Sequence, residues 1–289
     1  MNVLSMRRKR NRFELKTRAQ FESMREAGLV VAAALAAMRD ACKPGTPTLD
    51  LDAIARGVLA EHGAISNFLN YDIGTGPYPG VICASVNDRV VHGIPSTEDV
   101  LAEGDLISID FGAIVDGWHG DAAITVAVGE VSAQAVALSA ACEASLWDGL
   151  AQVRAGAHLG DVSRAIEASV ESAGAASSRE WGIVEGFGGH GIGSAMHMDP
   201  HILNYGHAGT GPLLTAGMAL AIEPMLTAGK PDTAPLDDGW TIVTADGSLA
   251  AHWEHTVALF DDGPWVLTAV DGGREQLLAR GVTLSAAAG

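Results

Sequence analysis

The run GGHGIGSAMHMDPH, residues 188–201, places three of the chain's ten histidines within twelve positions. Imidazoles this close together can bind a metal, move protons or stabilise an oxyanion. A lone histidine is more often a satisfied core or surface group, so the reading depends on which acids can meet these. Glycines flank His190 on both sides and let backbone approach a ligand closely. His197 follows seven residues on, and His201, after Pro200, reads as a surface residue.

Four acids elsewhere sit in unlikely surroundings. The segment DLISIDFGAIVDGWHGDAAITVAV is β-rich on both sides of Asp116-Gly117, a strong signal for a two-residue hairpin. In that register Asp110 faces Ala123 and Asp121 faces Gly112, so the two aspartates are diagonal neighbours on one face. Paired carboxylates there repel unless one is protonated or a cation is shared. A solvated outer face is the alternative, and the hairpin alone does not choose. Glu223 interrupts the apolar run MALAIEPML, and Glu254 interrupts AAHWEHTVALF. An acid in such a run needs a partner or a metal, or else an edge strand facing water. Together, Asp110, Asp121, His190, Glu223 and Glu254 offer four carboxylates and one imidazole, a set suited to two divalent cations. Its oxygen-rich character favours manganese-, iron- or cobalt-like ions over a structural zinc. A two-ion site of this kind performs metal-assisted hydrolysis.

The elements that must hold these residues read as α+β. Thr17 and Gln20 form a capping box before a helix running to about Arg39. Thr48 is expected to cap a second helix, ended by Gly63 near position 63. Residues 71–80 read as a loop, and VICASVNDRVVHGIP as strand, turn and short strand. Helical patterns follow at about 132–153 and 160–173, then strands near 217–226, 239–244 and 253–260. Gly45, Asp50, Gly63 and Ala64 recur at an offset of 111 as Gly156, Asp161, Gly174 and Ala175. If real, this repeat makes two similar halves with a site between them. No linker divides the chain.

The composition is that of a globular enzyme: 289 residues, 48% hydrophobic and 18% charged, with a net charge of −17. Residues 1–18 hold seven basic side chains and one acid, so the rest carries 11 basic against 34 acidic, a net of −23. An acidic body disfavours DNA and general nucleic-acid binding. The basic segment 1–13 is expected to be a mobile tail, as is 282–289, with one domain over 14–281 between them. Three scattered cysteines give no disulfide framework. With no secretory signal and no membrane span, a cytoplasmic protein is expected.

The stretches SVNDRVVHGIP, GDLISIDFGAIVDGWHGD, GHGIG with HMDP, IEPML, DDGWTIVT and WEHT occur in one order over residues 14–270. Together they resemble type I methionine aminopeptidases of the short bacterial form. The resemblance implies a pita-bread fold, in which two pseudo-symmetric halves carry a central curved antiparallel sheet flanked by helices. It implies a dinuclear centre of cobalt, manganese, iron or zinc, ligated by Asp110, Asp121, His190, Glu223 and Glu254. Asp121 and Glu254 would touch both ions, with Glu254 as general base. His92 and His197 would contact the scissile amide, and His201 would do neither job. Tyr78, Cys83 and Trp240 would line the methionine pocket. The substrates implied are nascent chains and peptides with N-terminal methionine and a small second residue, met near the ribosome by an enzyme expected to be monomeric. Ser194, Ala195, Met196 and Met198 depart from the family pattern, as do Val91, Ala122, Ala123, Ser66 and Asn67. These positions affect fine substrate preference, with Met196 softening the pocket. Two other readings compete: an Xaa-Pro-peptidase-like pita-bread hydrolase, and a non-catalytic binding protein on the same fold.

Overall fold

Helix α1 (Arg18–Ala41) starts at the capping box: the Thr17 hydroxyl accepts from Gln20 N–H while the Gln20 side chain accepts from Thr17 N–H. It opens the body of a computed structural model that describes residues 13–288. The chain continues through α2 (Thr48–His62), β1 (Ile65–Ser66), β2 (Ile82–Val86), β3 (Arg89–Val91), β4 (Leu106–Val115) and β5 (Trp118–Ala127). A second helix pair, α3 (Ala133–Leu150) and α4 (Leu159–Ser177), precedes β6 (Gly182–Ile183), β7 (Gly189–Gly191), β8 (Met198–Ile202), β9 (Ala219–Ile222) and β10 (Met225–Thr227). Last come β11 (Thr233–Pro235), β12 (Ile242–Thr244), β13 (Ala250–His252), β14 (Glu254–Phe260), β15 (Gly263–Val266) and α5 (Arg274–Ala279).

A curved nine-stranded antiparallel sheet runs β1-β4-β5-β14-β9-β7-β8, with β2 on β4 and β15 on β14. Apolar residues of α1 and α2 pack on β2, β4 and β5, and those of α3 and α4 on β9 and β14. The implied architecture of two halves, a curved sheet and flanking helices is the one found.

The faint repeat corresponds to real structure at the helix entrances. Gly45 N–H donates to Leu101 and Leu101 N–H to Thr46, while Gly156 N–H donates to Leu214 and Leu214 N–H to Ala157. Gly45 and Gly156 both take positive φ, 93° and 85°. The match fails at the helix ends. Gly63 caps α2 in the left-handed region, whereas α4 runs past Gly174 to a left-handed Ser178.

Three expectations need correction. Thr48 does not cap α2; Pro47 stands at that position, and the Thr48 hydroxyl is tied to Ser96, accepting from its N–H and donating to its carbonyl. The strand expected over 217–226 breaks into β9 and β10 at Glu223-Pro224, because proline has no N–H to give the ladder. The C-terminal segment is packed rather than mobile through residue 288. Leu284 and Ser285 are buried, and Ser285 N–H donates to Pro264. At the other end residues 1–12 lie outside the described residues, and Phe13 already packs on the core.

Helix α1 lies against the sheet through glycines. A Cβ on Gly28 would stand 2.3 Å from the Leu267 carbonyl oxygen, and one on Gly120 would stand 2.9 Å from Gly28 N. Alanine gains about 1 kcal/mol of helix propensity over glycine, but here it meets backbone that cannot turn away. Gly28→Ala is therefore expected to destabilise the protein by about 2 kcal/mol net, read as a lowered midpoint in chemical denaturation.

Candidate metal centre and substrate pocket

The hairpin pairs in the register the turn dictates. Asp110 faces Ala123, and Gly112 faces Asp121. Ala123 pairs on its other side with Glu254 of β14, so Asp110, Ala123 and Glu254 form one row across three strands. Paired residues share a face, and so do residues two apart on a strand. Asp121, two residues before Ala123, therefore lies on that face. Thr256, two beyond Glu254, pairs with Ala221, and Ala221 pairs with His190. Glu223 lies two beyond Ala221, where Pro224 ends the strand. All five residues expected to hold metal thus reach one side of one sheet, brought from four strands and the break after β9.

The side chains converge. Donor atoms of Asp121, His190 and Glu254 lie within 4.8 Å of one another, and so do those of Glu223, His252 and Glu254. Glu254 is common to both groups. His190 Nδ1 is 3.0 Å from the Gly191 carbonyl, which can only accept, so the proton sits on Nδ1. Nε2 is left free to ligate, 3.7 Å from Glu223 Oε1.

Electrostatics show what this arrangement lacks. Burial, then mutual repulsion, pushes the carboxyls of Asp110, Asp121 and Glu254 well above their usual range. Burial raises Glu223 to about 8. Burial also lowers His190 to about 3 and His92 to about 4, keeping both imidazoles neutral. Among the described residues, buried Asp110 Oδ1, Asp121 Oδ1 and Glu254 Oε1 accept no hydrogen bond. Unbonded carboxylate oxygens beside a neutral imidazole are what divalent cations satisfy, so the residues fit a metal centre.

The pocket adjoins this centre through the same register. Cys83 of β2 pairs with Asp110, extending the row by one strand. Cys83 packs with Phe68, Tyr78, Met196 and Trp240, the rings of Tyr78 and Trp240 meeting edge to face at 5.1 Å. Loop 71–80 is pinned at its ends, Tyr78 N–H donating to Tyr71 O and Asn70 N–H to Tyr78 O. The buried Tyr78 hydroxyl bonds the carbonyls of Ile82 and Gly93. Burial and nearby carboxylates push the Cys83 thiol up, which unsuits it as a nucleophile.

His92 and His197 both line this cavity of about 530 Å³, and His201 joins them at its wall, paired with His190. His92 takes a positive φ of 61°, strained for a non-glycine residue, with its ring near Phe187 and Trp240. His197 Nδ1 lies 2.7 Å from the Tyr71 hydroxyl. Sequence reasoning missed Tyr71, Phe68 and His252. His252 carried a signal, since it precedes Glu254 by two in a strand-like run; Tyr71 carried none beyond its loop.

The sequence profile of metallopeptidase family M24 matches residues 22–260. The chain belongs to that family. This M24 chain is 55% identical to methionine aminopeptidase 1 of Mycobacterium tuberculosis, over 93% of its own length and 99% of the relative's. It is 45% identical to the Clostridium acetobutylicum methionine aminopeptidase, over 88% and 98%. The crystal structure of the Thermotoga maritima methionine aminopeptidase superposes with a TM-score of 0.83 at 39% identity, covering 88% of this chain and 98% of that one. An Xaa-Pro dipeptidase from Bacillus anthracis, at 21% identity and a TM-score of 0.68, shares the fold.

A pH dependence follows from these carboxyls. A folded acid whose pKa is raised holds a proton that the unfolded chain has lost, so its contribution to stability falls as pH rises. The buried histidines act oppositely, but only up to their ordinary value of 6.5. From there to about 8, where Glu223 titrates, the carboxyls alone set the slope. Metal-free protein should therefore melt at a lower temperature at pH 8 than at pH 6.5, and added divalent cation should remove the difference. Calorimetry at pH 7 in buffers of different ionisation enthalpy should show protons released on cation binding.

Proposed function

We infer that this M24 chain is a metal-dependent aminopeptidase that removes N-terminal methionine from peptides and nascent proteins whose second residue is small. The observation that carries the reading is the shared row: a thiol-and-ring pocket begins one strand from Asp110, so a bound methionine side chain sets its own peptide bond beside the carboxylates. Sulfur packs well against the ring edges of Tyr78 and Trp240 and beside Cys83.

We propose that Asp110, Asp121, His190, Glu223 and Glu254 would hold two divalent ions of cobalt, manganese, iron or zinc character. When bound, such ions supply Lewis acidity that acidifies water and polarises a carbonyl. Glu254 accepts the proton of the attacking water and delivers it to the leaving amine. With the Tyr71 hydroxyl donating to Nδ1, His197 carries its proton on Nε2, ready to donate to the scissile amide. His92, lining the same cavity, is proposed to join it in holding the developing oxyanion. Burial keeps both imidazoles neutral at pH 7.

The Xaa-Pro reading is not favoured, since its representatives share the fold alone. Three free, buried cysteines suit a reducing cytoplasm, and among the described residues no helix is long and apolar enough to cross a membrane. The basic segment at the N-terminus is proposed to aid docking near the ribosome, and the enzyme is proposed to act as a monomer. Deleting residues 2–12 without change in ribosome association would remove the docking role.

Metal-stripped protein resupplied with manganese, cobalt, iron or zinc should release methionine from Met-Ala-Ser and much less from Met-Leu-Ser. Folded protein that releases none with any ion sinks the assignment. Glu254→Gln should lower kcat by about 100-fold or more with folding intact, in line with loss of both a general base and a metal ligand.

A further inference from the structure

One buried group that this chemistry leaves without a task faces the metal centre. His252 on β13 is only 1% exposed. Its backbone is fixed from two strands. The His252 N–H lies 3.1 Å from the Ser108 hydroxyl oxygen and 3.0 Å from that of Thr125, and its carbonyl accepts from the Thr125 hydroxyl at 2.8 Å. Ser108 and Thr125 are direct partners on β4 and β5, the strands that carry Asp110 and Asp121, and their hydroxyls bond each other at 2.9 Å. On its other side His252 pairs with Met225, two residues beyond Glu223. The mount is tied to the same strands as the proposed ligands.

The imidazole ends beside Glu223. Its Nε2 stands 3.3 Å from Glu223 Oε2, while Oε1 faces His190 Nε2 at 3.7 Å. The carboxylate therefore lies between two imidazoles, one oxygen toward each. Among the described residues, no hydrogen bond satisfies this buried Nε2, and the acceptor it faces is Glu223 Oε2. A carboxylate that gives one oxygen to a cation is held in place when a donor engages the other.

We propose that His252 is a positioning residue of the metal centre, its Nε2–H holding the outer oxygen of Glu223 and turning Oε1 toward the space shared with His190. The inference rests on the metallopeptidase reading above. The role acts through Glu223 and needs a donor at that place, not an imidazole as such.

The test titrates metal-free full-length protein with Co²⁺ by calorimetry, comparing the natural chain with His252→Gln, which keeps an N–H donor, and His252→Leu, which removes it. His252→Leu should bind Co²⁺ about 10- to 100-fold more weakly, while His252→Gln stays within about threefold of the natural chain. X-ray absorption of the cobalt-loaded protein should count one imidazole, that of His190, in the natural chain and in His252→Gln alike. Unchanged affinity in His252→Leu overturns the proposal, as does a His252→Gln chain as weak as His252→Leu. A second imidazole on cobalt also overturns it, by making His252 a ligand itself. Should His252→Leu not fold, the His252→Gln affinity and the imidazole count still decide. A natural chain that binds no Co²⁺ removes the metallopeptidase mechanism instead, so the two failures stay distinct.

Discussion

Four carboxyl groups buried within reach of one another repel, and each resists ionising away from water. Asp110, Asp121 and Glu254 are held on one face by ladder register, and Glu223 by the break directly after β9, so they cannot move apart to relieve the repulsion. Asp110, Ala123 and Glu254 share a row, and Asp121 stands on the same face in the next row. The structure thus keeps a standing demand for positive charge at one place. Protons meet that demand when no cation does, which is why burial raises these acids together. The chemistry proposed for the chain depends on this constraint more than on any single residue.

The same rows connect the centre to its substrate pocket. Extending the Asp110 row by one strand reaches Cys83, and with it the Tyr78 and Trp240 walls. In the proposed reading, one row both seats the methionine side chain and places its peptide bond. His92 and His197 come from loops instead. His92 holds a strained backbone dihedral and His197 leans on Tyr71, itself on the pinned 71–80 loop. Loops can adjust as a substrate enters, whereas strands fix Asp110, Asp121 and Glu254.

The helices support this sheet in two similar arrangements. Each half enters its second helix through a positive-φ glycine followed by reciprocal backbone bonds to a later strand-like segment. The strands β5 and β14, one from each half, meet at the centre of the sheet, and the site lies across that junction. Gly28 and Gly120 let α1 lie directly on the backbone beneath it, against the strand that carries Asp121.

The sequence alone determined what local rules can reach. An Asp116-Gly117 turn fixes hairpin register, and register fixes that Asp110 and Asp121 are neighbours. The capping box marks the start of α1, and acids within apolar runs mark Glu223 and Glu254 as needing partners. These inferences span a few residues, where backbone geometry leaves little choice. Only tertiary structure decided that β14 lies against β5, more than 120 residues away in the chain, and so that Glu254 completes the Asp110 row. It also decided that His252 faces Glu223, that Tyr71 reaches His197, and that the C-terminal segment packs on β15. Such pairings are set by which distant surfaces bury each other best, and no local pattern in the chain encodes that choice.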